Sequence, residues 1–244
     1  MRAVLITGAS RGIGRAAALA FAWKDYDALV LNARTENGSL EALTEEIEKI
    51  NSRIRVITSY GNAGDISYID SLRERLDKAG VTPELVINNA AVSYVGLLTD
   101  MTSEDWNETV STNLTSVFNT CHAFVPNMVR QKKGRIINIS SVWGLVGASC
   151  EVAYSATKGA VNAFTKALAK ELAPSGIAVN AAAFGVIDTD MNGHLSEEDR
   201  ASLEEEIPVG RMASPEEAAE LIVKISEMPE YFTGEVVKFD GGWI

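Results

Sequence analysis

At 244 residues, 46% hydrophobic and 23% charged, the chain has room for one large α/β domain or two small ones and can build a core without staples. A net charge of −11 argues against nucleic acid as a general partner, because phosphate binding wants a basic face. Two cysteines, Cys121 and Cys150, are too few for a disulfide framework; with the two histidines, His122 and His194, in unrelated contexts, they also argue against a His triad or a metal site.

Residues 3–6 form a short apolar run, the signature of a strand buried on both faces of a parallel sheet. Further strands are expected at 27–32, 54–58, 85–87, 135–139, 177–182 and 235–239. Helical patterns separate them at 15–23, 39–50, 67–78, 102–130 and 153–173, with a last helix opened by Ser214-Pro215-Glu216-Glu217. Pro126 should kink or end the 102–130 helix, and Gly80 and Pro83 punctuate the chain before the fourth strand. Alternating strands and helices predict a doubly wound, three-layer α/β sheet of seven parallel strands with right-handed crossovers. The alternation runs without a linker, so one domain over 1–244 is expected. The polar, acidic stretch 188–208 has no strand and follows the sixth one, where a lid belongs. No apolar run reaches membrane-spanning length, and the expected location is the cytoplasm, away from membranes.

The first strand runs into Thr7-Gly8-Ala9-Ser10-Arg11-Gly12-Ile13-Gly14, which opens a helix. In that context Gly8 permits a tight turn, while Gly12 and Gly14 let the backbone approach a diphosphate at the helix N-terminus. A plain glycine-rich turn is the competing reading, since the spacing is not the commoner Gly-x-Gly-x-x-Gly. The second strand ends in Asn32-Ala33-Arg34-Thr35, with no acid for the ribose hydroxyls of NAD. Arg34 and Arg11 together suit the extra phosphate of NADP, so NADP(H) is expected over NAD(H), unless Arg34 is merely a solvated loop residue. Asn88-Asn89-Ala90 closes the fourth strand as a turn signal, a loop tie or a cofactor contact.

Tyr154 and Lys158 are four residues apart, which stacks them about 5–6 Å from each other on one helix face. Ser140 and Ser141 end the preceding strand and reach that face if the loop between folds back. Serine, tyrosine and lysine converging there outline a proton-transfer site, although the spacing alone is also compatible with chance.

Taken together, these motifs resemble the short-chain dehydrogenase/reductase family over essentially the whole chain. The glycine loop, Asn88-Asn89-Ala90 and the ordered set Asn113, Ser141, Tyr154 and Lys158 carry the resemblance. Ile207-Pro208-Val209-Gly210-Arg211, Ser214-Pro215-Glu216-Glu217-Ala218 and Phe239-Asp240-Gly241-Gly242 are similar to the bacterial 3-oxoacyl-[acyl-carrier-protein] reductase branch. The resemblance implies a Rossmann-type sheet in the strand order 3-2-1-4-5-6-7 and NADPH-dependent reduction of a 3-oxoacyl thioester. It makes Tyr154 the general acid, its pKa lowered by Lys158, which also bonds the nicotinamide ribose. Ser141, rather than Ser140, orients the substrate oxygen, and Asn113 locally breaks its helix to hold a proton-relay water. Asn62 and Ala63 are placed beside the adenine, Asn89 near the ribose, and Ile187 and Thr189 near the nicotinamide carboxamide, with Ala90 and Gly185 among the cofactor-binding residues. A homotetramer is also implied.

The chain departs from the family pattern at three places. Ala91 replaces the usual Gly, Phe184 precedes Gly185 in place of Pro, and Ser175 stands at one of the basic positions that dock the acyl carrier. Arg130, Lys132 and Lys133 form a docking patch or an ordinary solvated helix end. The rival readings are a short-chain reductase of another carbonyl, such as a sugar, polyol, steroid or small ketone, and a catalytically silent nucleotide-binding scaffold.

Overall fold

The computed structural model describes residues 1–193 and 195–244; His194, within the expected 188–208 lid, lies outside the described residues. Seven strands, β1 (Arg2–Ile6), β2 (Ala28–Ala33), β3 (Arg55–Tyr60), β4 (Thr82–Asn88), β5 (Gly134–Ser141), β6 (Ile177–Phe184) and β7 (Val236–Phe239), form one sheet. Their order is β3-β2-β1-β4-β5-β6-β7 and every pairing is parallel, as expected. The helices are α1 (Gly12–Ala22), α2 (Ser39–Ile50), α3 (Ile66–Lys78), α4 (Ser103–Val110), α5 (Ser116–Gln131), α6 (Trp143–Val146), α7 (Val152–Leu172), α8 (Glu197–Glu206) and α9 (Pro215–Glu227).

Strand periodicity explains the three layers. Val4 and Ile6 of β1 pack with residues of α1, α2 and α9 on one face, while Ala3 and Leu5 pack with α3, α5 and α7 on the other. All four are fully buried, which is why β1 is apolar from Ala3 to Ile6 rather than alternating.

The helix expected over 102–130 is interrupted by a π-helical turn, Ser111–Thr115, centred on Asn113, the residue at which the family resemblance implied a local break. The structure differs from the sequence reading in three places. Pro126 neither ends nor interrupts α5, which continues to Gln131. Pro83 lies within β4, opposite Ala3, where the register shifts between Ala3 and Val4 and a missing N–H is tolerated. Within 188–208, α8 forms behind a capping box in which Ser196 and Asp199 satisfy each other's backbone N–H groups, and none of its residues is buried. Among the described residues no helix is long and apolar enough to cross a membrane.

Candidate active site

The carboxyl ends of the strands open into a cleft of about 780 Å³, which is the edge where doubly wound sheets bind ligands. Of the nineteen sequence-predicted positions, Gly8, Ser10, Arg11, Gly12, Ile13, Arg34, Thr35, Asn62, Ala63, Asn89, Ala90, Ser141, Tyr154, Lys158, Gly185, Ile187 and Thr189 line it. Gly14 and Asn113 stand behind its wall, and both have structural work there.

The glycine loop is laced to the end of β4. Thr7 Oγ1 accepts from the Asn89 and Ala90 amides at 3.0 and 3.1 Å, and Asn89 Nδ2 donates to the Thr7 and Gly8 carbonyls at 3.0 and 2.9 Å. Gly8 has φ +65°, and a side chain there would meet Ala90 Cα at 2.9 Å, so the turn needs glycine. Gly12, also left-handed at φ +54°, faces Thr189, whose Cγ2 a side chain would meet at 3.2 Å. Among the described residues no side chain caps the start of α1, which leaves its first amides to an anion. A bare helix start beneath a glycine cradle suits a dinucleotide's diphosphate.

Two arginines flank that cradle. Arg34 Nη1 donates to Glu108 Oε1 of α4 at 2.6 Å, and Arg11 Nη1 stands 3.9 Å from Asp190 on the loop after β6. Asn62 Oδ1 accepts from the Gly64 amide at 2.9 Å, and Asn119 Nδ2 fixes the Ala63 carbonyl at 3.0 Å. Gly185 donates its amide to Phe239 at 2.9 Å, Ile187 bridges to Ala213, and Asn192 Nδ2 holds the Ile187 carbonyl at 2.8 Å.

Ser141, Tyr154 and Lys158 converge at the other end of the cleft. Ser140 Oγ donates to the Lys158 carbonyl at 3.3 Å, whereas Ser141 Oγ accepts from the Trp143 amide at 3.1 Å and is the hydroxyl that acts to lower the Tyr154 pKa. The geometry therefore selects Ser141 as the serine beside Tyr154. Lys158 is buried; its Nζ donates to the Ile139 carbonyl at 2.8 Å and stands 5.4 Å from the Tyr154 ring centre. Asn113 Oδ1 accepts from the Val92 amide, and its Nδ2 donates to the Val92 carbonyl, both at 2.8 Å, and to Thr157 Oγ1 at 3.2 Å. The π turn thus braces the loop after β4 against α7. Such turns recur at functional sites.

One electrostatic expectation differs. Burial raises the Tyr154 pKa and the Glu151 charge raises it further, against which only the Ser141 hydrogen bond acts. Burial likewise pulls Lys158 down to about 8. Desolvation, rather than Lys158, therefore sets the direction of the Tyr154 shift in this structure.

Several cleft residues escaped the sequence reading. Trp143 and Trp243 pack together at 4.8 Å between ring centres, and Ser93 Oγ donates to Glu151 Oε1 at 2.6 Å; all four line the cleft. The one sequence signal was Glu151's spacing, three residues before Tyr154. The other residues come together from distant segments.

A family model described as short chain dehydrogenase matches residues 2–200. The chain is 38% identical to the uncharacterized oxidoreductase YmfI of Bacillus subtilis, covering 99% of this chain and 98% of that one. It is 36% identical to the 3-oxoacyl-[acyl-carrier-protein] reductase FabG of Thermotoga maritima, covering 98% and 96%. Among solved structures, the 3-oxoacyl-[acyl-carrier protein] reductase from Brucella melitensis superposes with a TM-score of 0.91 at 33% identity, covering 100% of this chain and 91% of that one. YwfH, an NADPH dependent reductase involved in bacilysin biosynthesis, superposes with a TM-score of 0.92 at 25% identity, covering 100% and 98%.

Proposed function

The chain belongs to the short chain dehydrogenase family and is an NAD(P)-dependent oxidoreductase; from that premise we propose that it reduces a 3-oxoacyl thioester to the 3-hydroxyacyl thioester with NADPH. The observation that carries the reading is the single cleft joining the glycine cradle and Arg34 to Ser141, Tyr154 and Lys158. Relatives named 3-oxoacyl-[acyl-carrier-protein] reductase at 34–38% identity supply the substrate class.

The glycine-loop amides and the start of α1 hold the diphosphate. Arg34 and Arg11 hold the 2′-phosphate of NADP, each exchanging a carboxylate for it. Asn62, Ala63 and Asn89 line the nucleoside side, and Gly185, Ile187 and Thr189 the nicotinamide side. Bound there, the reduced nicotinamide supplies hydride to the carbonyl carbon. Ser141 donates a hydrogen bond to the substrate oxygen. Tyr154, kept protonated by burial, delivers its proton to that oxygen as charge develops on it. Lys158 bonds the nicotinamide ribose, and the Asn113–Val92 contact supports a water through which the tyrosine is reprotonated.

Domain and assembly are part of the same reading: one dinucleotide-binding domain over 1–244 with a lid at 188–208, acting in the cytoplasm as a homotetramer. Exposed Trp106, Phe118 and Val129 on α4 and α5 support an intersubunit face. Carrier docking draws weaker support, because Lys133 is already engaged with Glu84 at 3.0 Å and Ser175 is uncharged. A second reading, reduction of a small cyclic or aromatic ketone, is favoured by the Trp143–Trp243 wall. Steady-state assays with NADPH and NADH test both against a 3-oxoacyl-CoA, its N-acetylcysteamine analogue and a ketone panel. Turnover of ketones without any thioester turnover would reverse the ranking.

A further inference from the structure

Glu151 introduces a carboxylate into the wall of the reaction cleft. It immediately precedes α7, three residues before Tyr154 and seven before Lys158, and all three residues line the cleft. Its side chain makes no capping hydrogen bond to α7. Ser93, on the loop after β4, instead holds Oε1 at 2.6 Å, and both residues line the cleft with Ser141 and Tyr154. Among the described residues no lysine or arginine forms an ion pair with it. A carboxylate offers about four lone-pair sites, of which Ser93 occupies one. A partly buried carboxylate needs compensating donors, and the reacting molecule is where the cleft can find them.

We propose that Glu151, clamped by Ser93, is a specificity residue that accepts a hydrogen bond from an N–H or O–H donor carried by the substrate on the carboxyl side of its reacting carbonyl, and that it disfavours substrates with an anion on that side. The proposal rests on the thioester reading and deepens it. A simple 3-oxoacyl chain has no such donor. The first along a carrier thioester is the amide N–H of the cysteamine unit, two methylenes beyond the sulfur. Glu151 therefore reads the carrier arm rather than the acyl chain, and separates thioesters from simple 3-oxo esters and free 3-oxo acids.

The test compares kcat/KM with NADPH for 3-oxobutanoyl-N-acetylcysteamine, which has the amide N–H, ethyl 3-oxobutanoate, which has no donor, and 3-oxobutanoate, an anion. Glu151→Leu should reduce the thioester-to-ester ratio by about 10-fold or more, mainly through KM, because a hydrogen bond to a charged group is lost. Ser93→Ala should reduce it less, by freeing the carboxylate from its clamp. Glu151→Gln keeps an acceptor and so most of the ratio, but relieves repulsion and raises turnover of the free acid. A proportionate change for thioester and ester, with a shifted pH profile, would mean that Glu151 acts only through Tyr154 and would overturn the proposal. Wild-type turnover of ketones but of neither the thioester nor the ester would sink the thioester reading and this proposal with it; that failure is distinct, because it appears before any variant is made.

Discussion

Lys158 Nζ sits 5.4 Å from the centre of the Tyr154 ring and reaches past it to the Ile139 carbonyl. The pair is thus assembled before any ligand arrives, with the phenol beside Ser141 and the amine behind the ring. Burial holds the proton on Tyr154, the state a proton donor needs. Tyr154→Phe removes only the hydroxyl and should lower kcat by about 10²–10⁴-fold. Steady-state kinetics with the best substrate of the screen checks it, and an unchanged kcat would remove Tyr154 from the chemistry.

The same burial has a stability consequence at Lys158. A folded pKa of about 8 lies below the unfolded value of 10.5, so the unfolded chain binds the proton more tightly. The penalty is full below pH 8 and disappears as pH rises from there through 10.5. The shift corresponds to about 3 kcal/mol, offset in part by the hydrogen bond to Ile139. Lys158→Met should therefore abolish activity yet raise Tm near pH 7, on the order of 5 °C. The gain should shrink towards pH 10. Thermal melts at both pH values check it; a lower Tm at pH 7 would show that the amine stabilises the fold.

Arg34 and Glu108 set up a competition for the cofactor's phosphate. Their ion pair is short at 2.6 Å, but both side chains are more than half exposed, so it is worth no more than about 1 kcal/mol. A phosphate offers Arg34 the stronger bidentate partner. Arg34→Ala should weaken NADPH binding about 10–100-fold and NADH binding far less. Glu108→Gln should tighten NADPH binding a few-fold by removing the competitor. Titrations of both cofactors at low and high salt check it, with equal losses for NADPH and NADH refuting the phosphate contact.

The parts of this fold legible in the sequence are those governed by local periodicity. β1 from Ala3 to Ile6 is buried on both faces and therefore reads as an unbroken apolar run, β6 is interrupted only by the buried Asn180, and the Tyr154–Lys158 spacing survives because α7 is regular. The misread parts obey other physics. α8 is the acidic segment EEDRASLEEE with no apolar stripe, so only its Ser196–Asp199 capping box announced a helix. The break at Asn113 was legible only through the family resemblance; the contacts with Val92 and Thr157 that brace it are not encoded in sequence spacing. Glu108 and Arg34 are 74 positions apart, and Ser93 and Glu151 are 58 apart. Each pair meets only once the strands are ordered.

Two glycines in helices separate cradle geometry from helix propensity. Gly14 has no left-handed backbone to protect, so propensity alone favours Gly14→Ala by about 1 kcal/mol. Yet a methyl there would press into the Gly8 carbonyl and stand 2.5 Å from Asn89 Nδ2, the two groups that close the loop. Neither can yield without breaking the tie between β1 and β4, and overpacking of this kind costs about 1–3 kcal/mol. The clash should win, lowering Tm and weakening NADPH binding together. Gly159 in α7 is the control: a methyl there meets only the Gly144 carbonyl, at an ordinary 3.5 Å. Gly159→Ala should stabilise by about 0.5–1 kcal/mol, a Tm gain of about 1–4 °C. Melting curves and NADPH titrations of the two variants check the contrast. A stabilised Gly14→Ala that still binds NADPH normally would show that the glycine loop has room the structure does not assign to it.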